Sequence, residues 1–327
     1  MNLFISFHGG TDPGNVNNIL TYDLSESNPI GTPILPNTPK LQELRGFKFR
    51  GDQLYVVNAY KKLSQLLQYQ QNASGSYQPV GDGILASNAS INSIYHPYDL
   101  TIDENGTIYL SSQDTNVVTR MNEEGQAEST ASYLSDTYPN GNFMAGTFIA
   151  SAIGDLPAVT EQGLTPPENV SSPQGLSVSQ DPTTGRVLNS VRDVLTYEGY
   201  LYVSDEVNNS VNCYSLQTGE LEGYIARGKM EAPVQLLVYD GKLYIGAGKS
   251  VFKYSIRKYG APSGKAKPKK FIYKELDHVS GMAFDSNEDF YVAERKARKV
   301  LKYSHKGKSK ATVLDNLPDN PEFIAFY

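Results

Sequence analysis

The sequence predicts an all-β chain folded as one six-bladed β-propeller of four-stranded antiparallel blades, and three observations carry that prediction. A strand–turn–strand unit recurs along the chain. The residue supply favours sheet over helix. The two chain ends each hold one part of a unit that is otherwise incomplete.

The clearest unit is His96-Pro97-Tyr98-Asp99-Leu100-Thr101-Ile102, followed by Asp103-Glu104-Asn105-Gly106 and then Thr107-Ile108-Tyr109-Leu110. It reads as strand, polar glycine turn, strand. The same unit returns from Glu43 to Val56, from Ser190 to Val203, from Ala232 to Ile245 and from His278 to Val292. A third strand follows each pair with an aromatic in register: Tyr69, Tyr214, Tyr254 and Tyr303, with Met121 taking the place after the 96–110 unit. Alternation of apolar and polar residues in these runs has the period of a half-buried strand. The chain opens on a second strand, Leu3 to His8, and a third, Asn18 to Tyr22. Its missing first strand lies at the other end, Asn320 to Tyr327. Joining the ends closes the ring and leaves no long sheet edge exposed, so one domain over 1–327 and a monomer are expected. Only 128–189 interrupts the repeat, between blades three and four. Its apolar run 143–150 is expected to form a lid at the top of the channel.

Composition agrees with sheet and tight turns. The chain has 23 Tyr, 28 Gly and no Trp. A net charge of −6 argues against a general nucleic-acid binder, although 16 of the 29 Lys and Arg fall between 251 and 310. The connectivity puts those residues on opposite faces, and they are read as solvated loops. Cys213 is the single cysteine, so no intrachain disulfide forms, and its strand context implies a buried thiol. Neither a basic, apolar leader nor a membrane-length apolar run is present, and a cytoplasmic protein without a membrane partner is the expectation.

The His-Pro-x-x-Leu-x-Ile-Asp-x-x-Gly-x-Ile-Tyr pattern at 96–109 resembles the NHL repeat, and Tyr202-Val203-Ser204-Asp205 resembles its second half. The resemblance covers most of the chain outside 128–189. It implies architecture, while the function of such propellers ranges over lyases, hydrolases and modules that bind protein or RNA. Gluconolactonase-like relatives hold a metal with one Glu, two Asn and one Asp. Asn58, Asp205 and Glu294 are of those types but lack the surrounding motifs. Amidating-lyase-like relatives hold zinc on three histidines, a set that His8, His96 and His278 imitate without the paired cysteines of that group. The strictosidine-synthase-like propellers are a third relative with no matching motif.

Propeller connectivity places the start of each first strand and the end of each second strand at one mouth of the channel, here termed the top. The candidate site residues all come from that ring. His96 and His278 are expected to polarise a substrate, and Asp99, Asp193 or Asp205 to act as base. Arg45 and Arg192 are expected to hold an anion, with Asn58, Tyr98 and Glu294 as further substrate contacts. Converging Asp, Asn and Glu oxygens would suit Ca²⁺, and imidazoles of His8, His96 and His278 would suit Zn²⁺, so one divalent cation is an expected cofactor. The leading function is small-molecule binding or transformation of a hydrolase or lyase type at this mouth. The alternative is a non-catalytic scaffold gripping a protein or RNA through its top loops.

Overall fold

The computed structural model describes residues 1–37, 39–113, 115–137, 144–149, 191–225, 230–308 and 310–327. Six sheets form the blades, each with four antiparallel strands. The fourth gains a short fifth strand, Lys265–Ala266 from the blade-five segment, which pairs in parallel with Leu221–Ile225. The first joins the two chain ends: the C-terminal strand Pro321–Phe326 pairs with Asn2–Phe7, in the register Leu3↔Phe326, Ile5↔Ile324 and Phe7↔Pro321. Blades two to six begin at Leu44, Pro97, Val191, Pro233 and Val279, within a residue or two of the sequence expectation.

The turns explain why each unit reverses where it does. In blades four and five the first hairpin has two central residues, Glu198-Gly199 and Asp240-Gly241, all with positive φ, the backbone that matches the twist of the flanking strands. Blades three and six use a longer loop held by one carboxylate. Asp103 Oδ1 accepts the amides of Asn105 and Thr107, each at 2.9 Å, and Asp285 Oδ1 accepts those of Asn287 and Asp289 at 2.9 and 2.8 Å. The in-register aromatics Tyr69, Tyr214, Tyr254 and Tyr303, with Met121, are all buried between blades, as is Cys213. Burial pushes the Cys213 thiol up to about 12, which makes it an inert core residue.

Of the apolar run of the 128–189 segment, the described residues 144–149 do not line the mouth. Thr147–Ile149 forms the fourth strand of blade three, pairing Val118↔Ile149 and Thr119↔Thr147. Phe148 is fully buried, edge-on to Tyr109 and beneath the Arg120 guanidinium. Phe148 and Ile149 are apolar because their strand, outermost in blade three, packs into the core shared with blade four. Residues 150–190 of that segment lie outside the described residues.

Candidate functional site

The first strands of the blades share a local distortion that builds the mouth. Their leading residues Glu43, His96, Ala232 and His278 have φ between 49° and 62°. A register shift follows in each of blades two to six, at Leu44/Phe47, Pro97/Leu100, Val191/Val194, Pro233/Gln235 and Val279/Gly281. Such bulges re-aim side chains and recur at functional rims. Serines near the ends of the second strands fill them. Ser111 Oγ accepts the Asp99 amide at 3.0 Å, Ser204 Oγ accepts that of Asp193 at 2.9 Å, and Ser6 Oγ accepts that of Phe323 at 3.2 Å.

The residue just before each bulge position turns into the channel. Arg45, Tyr98, Arg192, Val234, Ser280 and Glu322, one per blade, line a single cavity of about 270 Å³. The residue following the second strand joins them in five blades: His8, Gln113, Glu206, Gly248 and Arg295. His96, Ala232 and His278 complete the wall. Three of the four histidines thus surround one cavity, as the sequence suggested.

Cations dominate this wall. Glu322 is 1% exposed, and its Oε1 accepts Arg45 Nη1 at 2.8 Å and Arg295 Nη2 at 2.9 Å. His8 Nδ1 lies 2.8 Å from the same oxygen, and both guanidinium groups also close on that ring nitrogen. Burial alone would raise the Glu322 pKa, but Arg45, His8 and Arg295 together hold it below the usual carboxylate range. Across the cavity, Arg192 Nη1 donates to Gln113 Oε1 at 2.6 Å, its Nη2 pairs with Glu206 at 2.6 Å, and its guanidinium lies 5.5 Å from the Tyr98 ring centre. His96 Nε2 lies 3.7 Å from Glu43 Oε2 at the rim. That contact, working with Arg45 against partial burial, lowers the Glu43 pKa.

Asp99 and Asp193 do not line this cavity. They occupy the bulge position one layer deeper and are almost wholly buried. Gly46 makes room for Asp99, since a Cβ there would overlap its carboxylate. Lys48 Nζ approaches Asp99 Oδ2 at 3.5 Å, and the Leu236 amide donates to Asp193 Oδ2 at 2.7 Å. Both Asp99 oxygens and Asp193 Oδ1 have no hydrogen-bond partner among the described residues. Burial, followed by the Asp99 charge, pushes the Asp193 pKa well above the ordinary value. Burial pulls Lys48 down, but the two carboxylates outweigh it and its pKa ends raised.

Asn58, Asp205 and Glu294 are brought to the top but turned out of the cavity. Each is the last residue of its second strand, and each clamps a loop. Asn58 Oδ1 accepts the Gln42 amide at 2.9 Å, and its Nδ2 donates to Lys40 O at 3.0 Å and Gln65 Oε1 at 2.8 Å. Asp205 accepts the backbone amide and the Nδ2 of Asn208 at 3.1 and 2.6 Å. Glu294 Oε1 accepts the Asp277 amide at 2.9 Å. Sequence reasoning missed Glu206 and Arg295, each one residue beyond a position it had singled out, together with Gln113, Glu322 and Lys48. The second strands of blades three, four and six are buried on both faces, so alternation of apolar residues does not show which residue at the strand end faces the channel.

The donor set does not fit the divalent cation. No group of three or more His, Cys, Asp or Glu side chains is placed to share an ion among the described residues. The His8 nitrogen that faces the site is met by two guanidinium groups, which repel a cation.

No family model and no curated protein sequence matches the chain. Solved structures match at the level of fold. One is a putative 6-phosphogluconolactonase from Bacteroides uniformis ATCC 8492, 13% identical, with a TM-score of 0.59 over 100% of this chain and 99% of that one. A second of the same description, from Bacteroides fragilis NCTC 9343, is 12% identical with a TM-score of 0.57 over 100% and 97%. A chain of the Nidogen/Laminin complex is 10% identical with a TM-score of 0.56 over 99% and 97%. The three share the chain's fold, while the first two and the third are named for different things.

Proposed function

We propose that the top mouth binds a small, hydroxyl-rich organic anion, a sugar acid or sugar phosphate, and that hydrolysis of a lactone or ester of such an acid is the reaction its groups suit. The observation that carries this is the convergence of Arg45, Arg192 and Arg295 with three imidazoles on one 270 Å³ cavity. Guanidinium groups match carboxylate and phosphate in geometry as well as charge. Glu322 and Glu206 hold the arginines in place before ligand arrives, so little side-chain order is lost on binding. Tyr98, Gln113 and Ser280 supply hydroxyl and amide partners for a polyol. For turnover, an imidazole from His96 or His278 would take a proton from attacking water while an arginine stabilises the developing oxyanion. The neighbours from Bacteroides agree with this reading through their name, and at 12–13% identity the weight rests on the arginines.

Titration calorimetry with gluconate, 6-phosphogluconate and glucose, on wild type and Arg192→Gln, tests the proposal. Arg192 packs at the wall and its loss leaves the Glu322 cluster intact. The anions should bind and glucose should not, and the variant should lose about tenfold in affinity, about 1.4 kcal/mol. Equal binding of glucose, or an unchanged affinity in the variant, would sink the anion reading and favour a partner-binding scaffold.

A further inference from the structure

Residues 242–274 carry nine lysines and one arginine with no Asp or Glu, in a chain whose net charge is −6. The fold gathers half of that charge around one concavity on the side of blade five away from the mouth. Lys242 and Lys253 come from its second and third strands, Lys258 from the short helix Ile256–Tyr259, and Lys267 and Lys269 from the crossing segment before and into its fourth strand. The pocket holds about 460 Å³, and Tyr254 and Tyr259 form its apolar wall. That volume is in the range of small-molecule sites. The Tyr259 ring is 53% exposed and lies 5.9 Å from that of Tyr254.

Only one of these five lysines meets a carboxylate among the described residues. Lys242 pairs with Asp240 at 2.6 Å, which Arg257 also contacts at 2.9 Å. No ion pair reaches Lys253, Lys258, Lys267 or Lys269 among the described residues. Partial burial first, and then the charges of Lys242 and Lys269, lower the Lys253 pKa. Lys253 and Lys258 rest 4.7 and 5.0 Å from the ring centres of Phe271 and Tyr259. Four ammonium groups on three separate elements are thus left without a carboxylate among the described residues, and together they call for several negative charges. A single carboxylate would satisfy one or two of them, whereas a chain of phosphates satisfies all.

We propose that this pocket is a second anion site, built for an oligophosphate such as that of a nucleoside triphosphate, with the lysines on the phosphates and the base against Tyr259. An exposed, rigid aromatic next to lysines suits a planar base. The site is independent of the mouth, since the two share no lining residue.

The test is calorimetry at low ionic strength with ATP, inorganic triphosphate and adenosine. The proteins are wild type, the triple variant Lys258→Gln/Lys267→Gln/Lys269→Gln, the control Lys306→Gln/Lys308→Gln on blade six, and Arg192→Gln. ATP and triphosphate should bind wild type and adenosine should not. The triple variant should bind both at least tenfold more weakly, with the control and Arg192→Gln unchanged. ATP exceeding triphosphate, and losing that advantage in Tyr259→Ser, places the base on the ring. Triphosphate binding as tightly as ATP keeps the phosphate site and removes the base contact. Failure of ATP and triphosphate to bind overturns the proposal. Equal weakening by the blade-six control would make the effect one of net charge, and loss only in Arg192→Gln would put the anion at the mouth; both overturn it.

Discussion

Two rings of polar residues meet at the top of the propeller, one position apart in sequence, and they do opposite work. The last residues of the second strands, Asn58, Ser112, Asp205 and Glu294, turn outward and clamp loops: Asn58 holds the loop that enters its own blade, and Ser112 Oγ accepts the Tyr95 amide at 3.2 Å. The next residues, Gln113, Glu206 and Arg295, turn inward and line the cavity with His8. The residue types are nearly interchangeable between the rings. Position relative to the strand end separates them: the last strand residue clamps a loop, and the residue after it lines the cavity. At a propeller mouth, polar chemistry is therefore evidence of function only after its phase in the strand is known.

The comparison is broken most severely at Glu322, the buried anion that organises the inward ring. Glu322→Leu would take from Arg45, itself 5% exposed, its close carboxylate partner and leave only Glu43 at 3.9 Å. Breaking one side of a buried pair costs about 3–5 kcal/mol, so chemical denaturation should show a loss of that order. The native protein should also carry an acid sensitivity from this residue. Its pKa is lowered in the fold, so its stabilisation is present above the ordinary carboxylate value and is lost as pH falls through the folded value. Glu322→Gln should flatten the stability profile below about pH 4.5. An unchanged acid limb would mean that Glu322 is not the anchor of the arginine cluster.

The outward ring should respond in stability and not in binding. Asn58 is fully buried and makes two hydrogen bonds to the entering loop and a third to Gln65 on the next strand. Asn58→Leu orphans the Gln42 amide and should cost about 2–3 kcal/mol by denaturant titration. The surviving folded protein should bind the mouth ligand with unaltered affinity. A selective loss of affinity at full stability would return Asn58 to the binding residues.

How far the sequence carries the reading follows from the range of each interaction. Turns and alternation are local, so Asp103, Gly199 and the in-register tyrosines locate the hairpins directly, and the complementary ends at Leu3 and Phe323 give ring closure. The three-residue strand Thr147–Ile149 is separated from its partner Val117–Met121 by a polar stretch, and no local signal ties it there. Glu322 meets His8 across a separation of 314 residues, which only the closed ring brings to 2.8 Å. Arg295 opens the run Arg295-Lys296-Ala297-Arg298-Lys299, where charge reads as solvated surface until the backbone shows which member faces the channel. Bulges shift the phase of the first strands, so Arg45 and Asp99 were assigned to one layer although they lie in two.

The smallest effect, and the one of opposite sign, concerns that deeper layer. Asp193 has its pKa raised by burial and by Asp99, so the fold prefers it protonated. The contribution of such an acid is in full force below its ordinary value of 3.8 and is lost as pH rises through the raised folded value. At neutral pH it is therefore a liability of the fold. Asp193→Asn keeps an oxygen for the Leu236 amide and removes the competing charge, while Asp99 remains beside Lys48. The variant should be more stable than wild type at pH 7, by about 1 kcal/mol, with the difference shrinking toward pH 4. A variant less stable at pH 7 would mean that Lys48 requires both carboxylates, and that the layer is a balanced ion cluster in place of a strained acid pair.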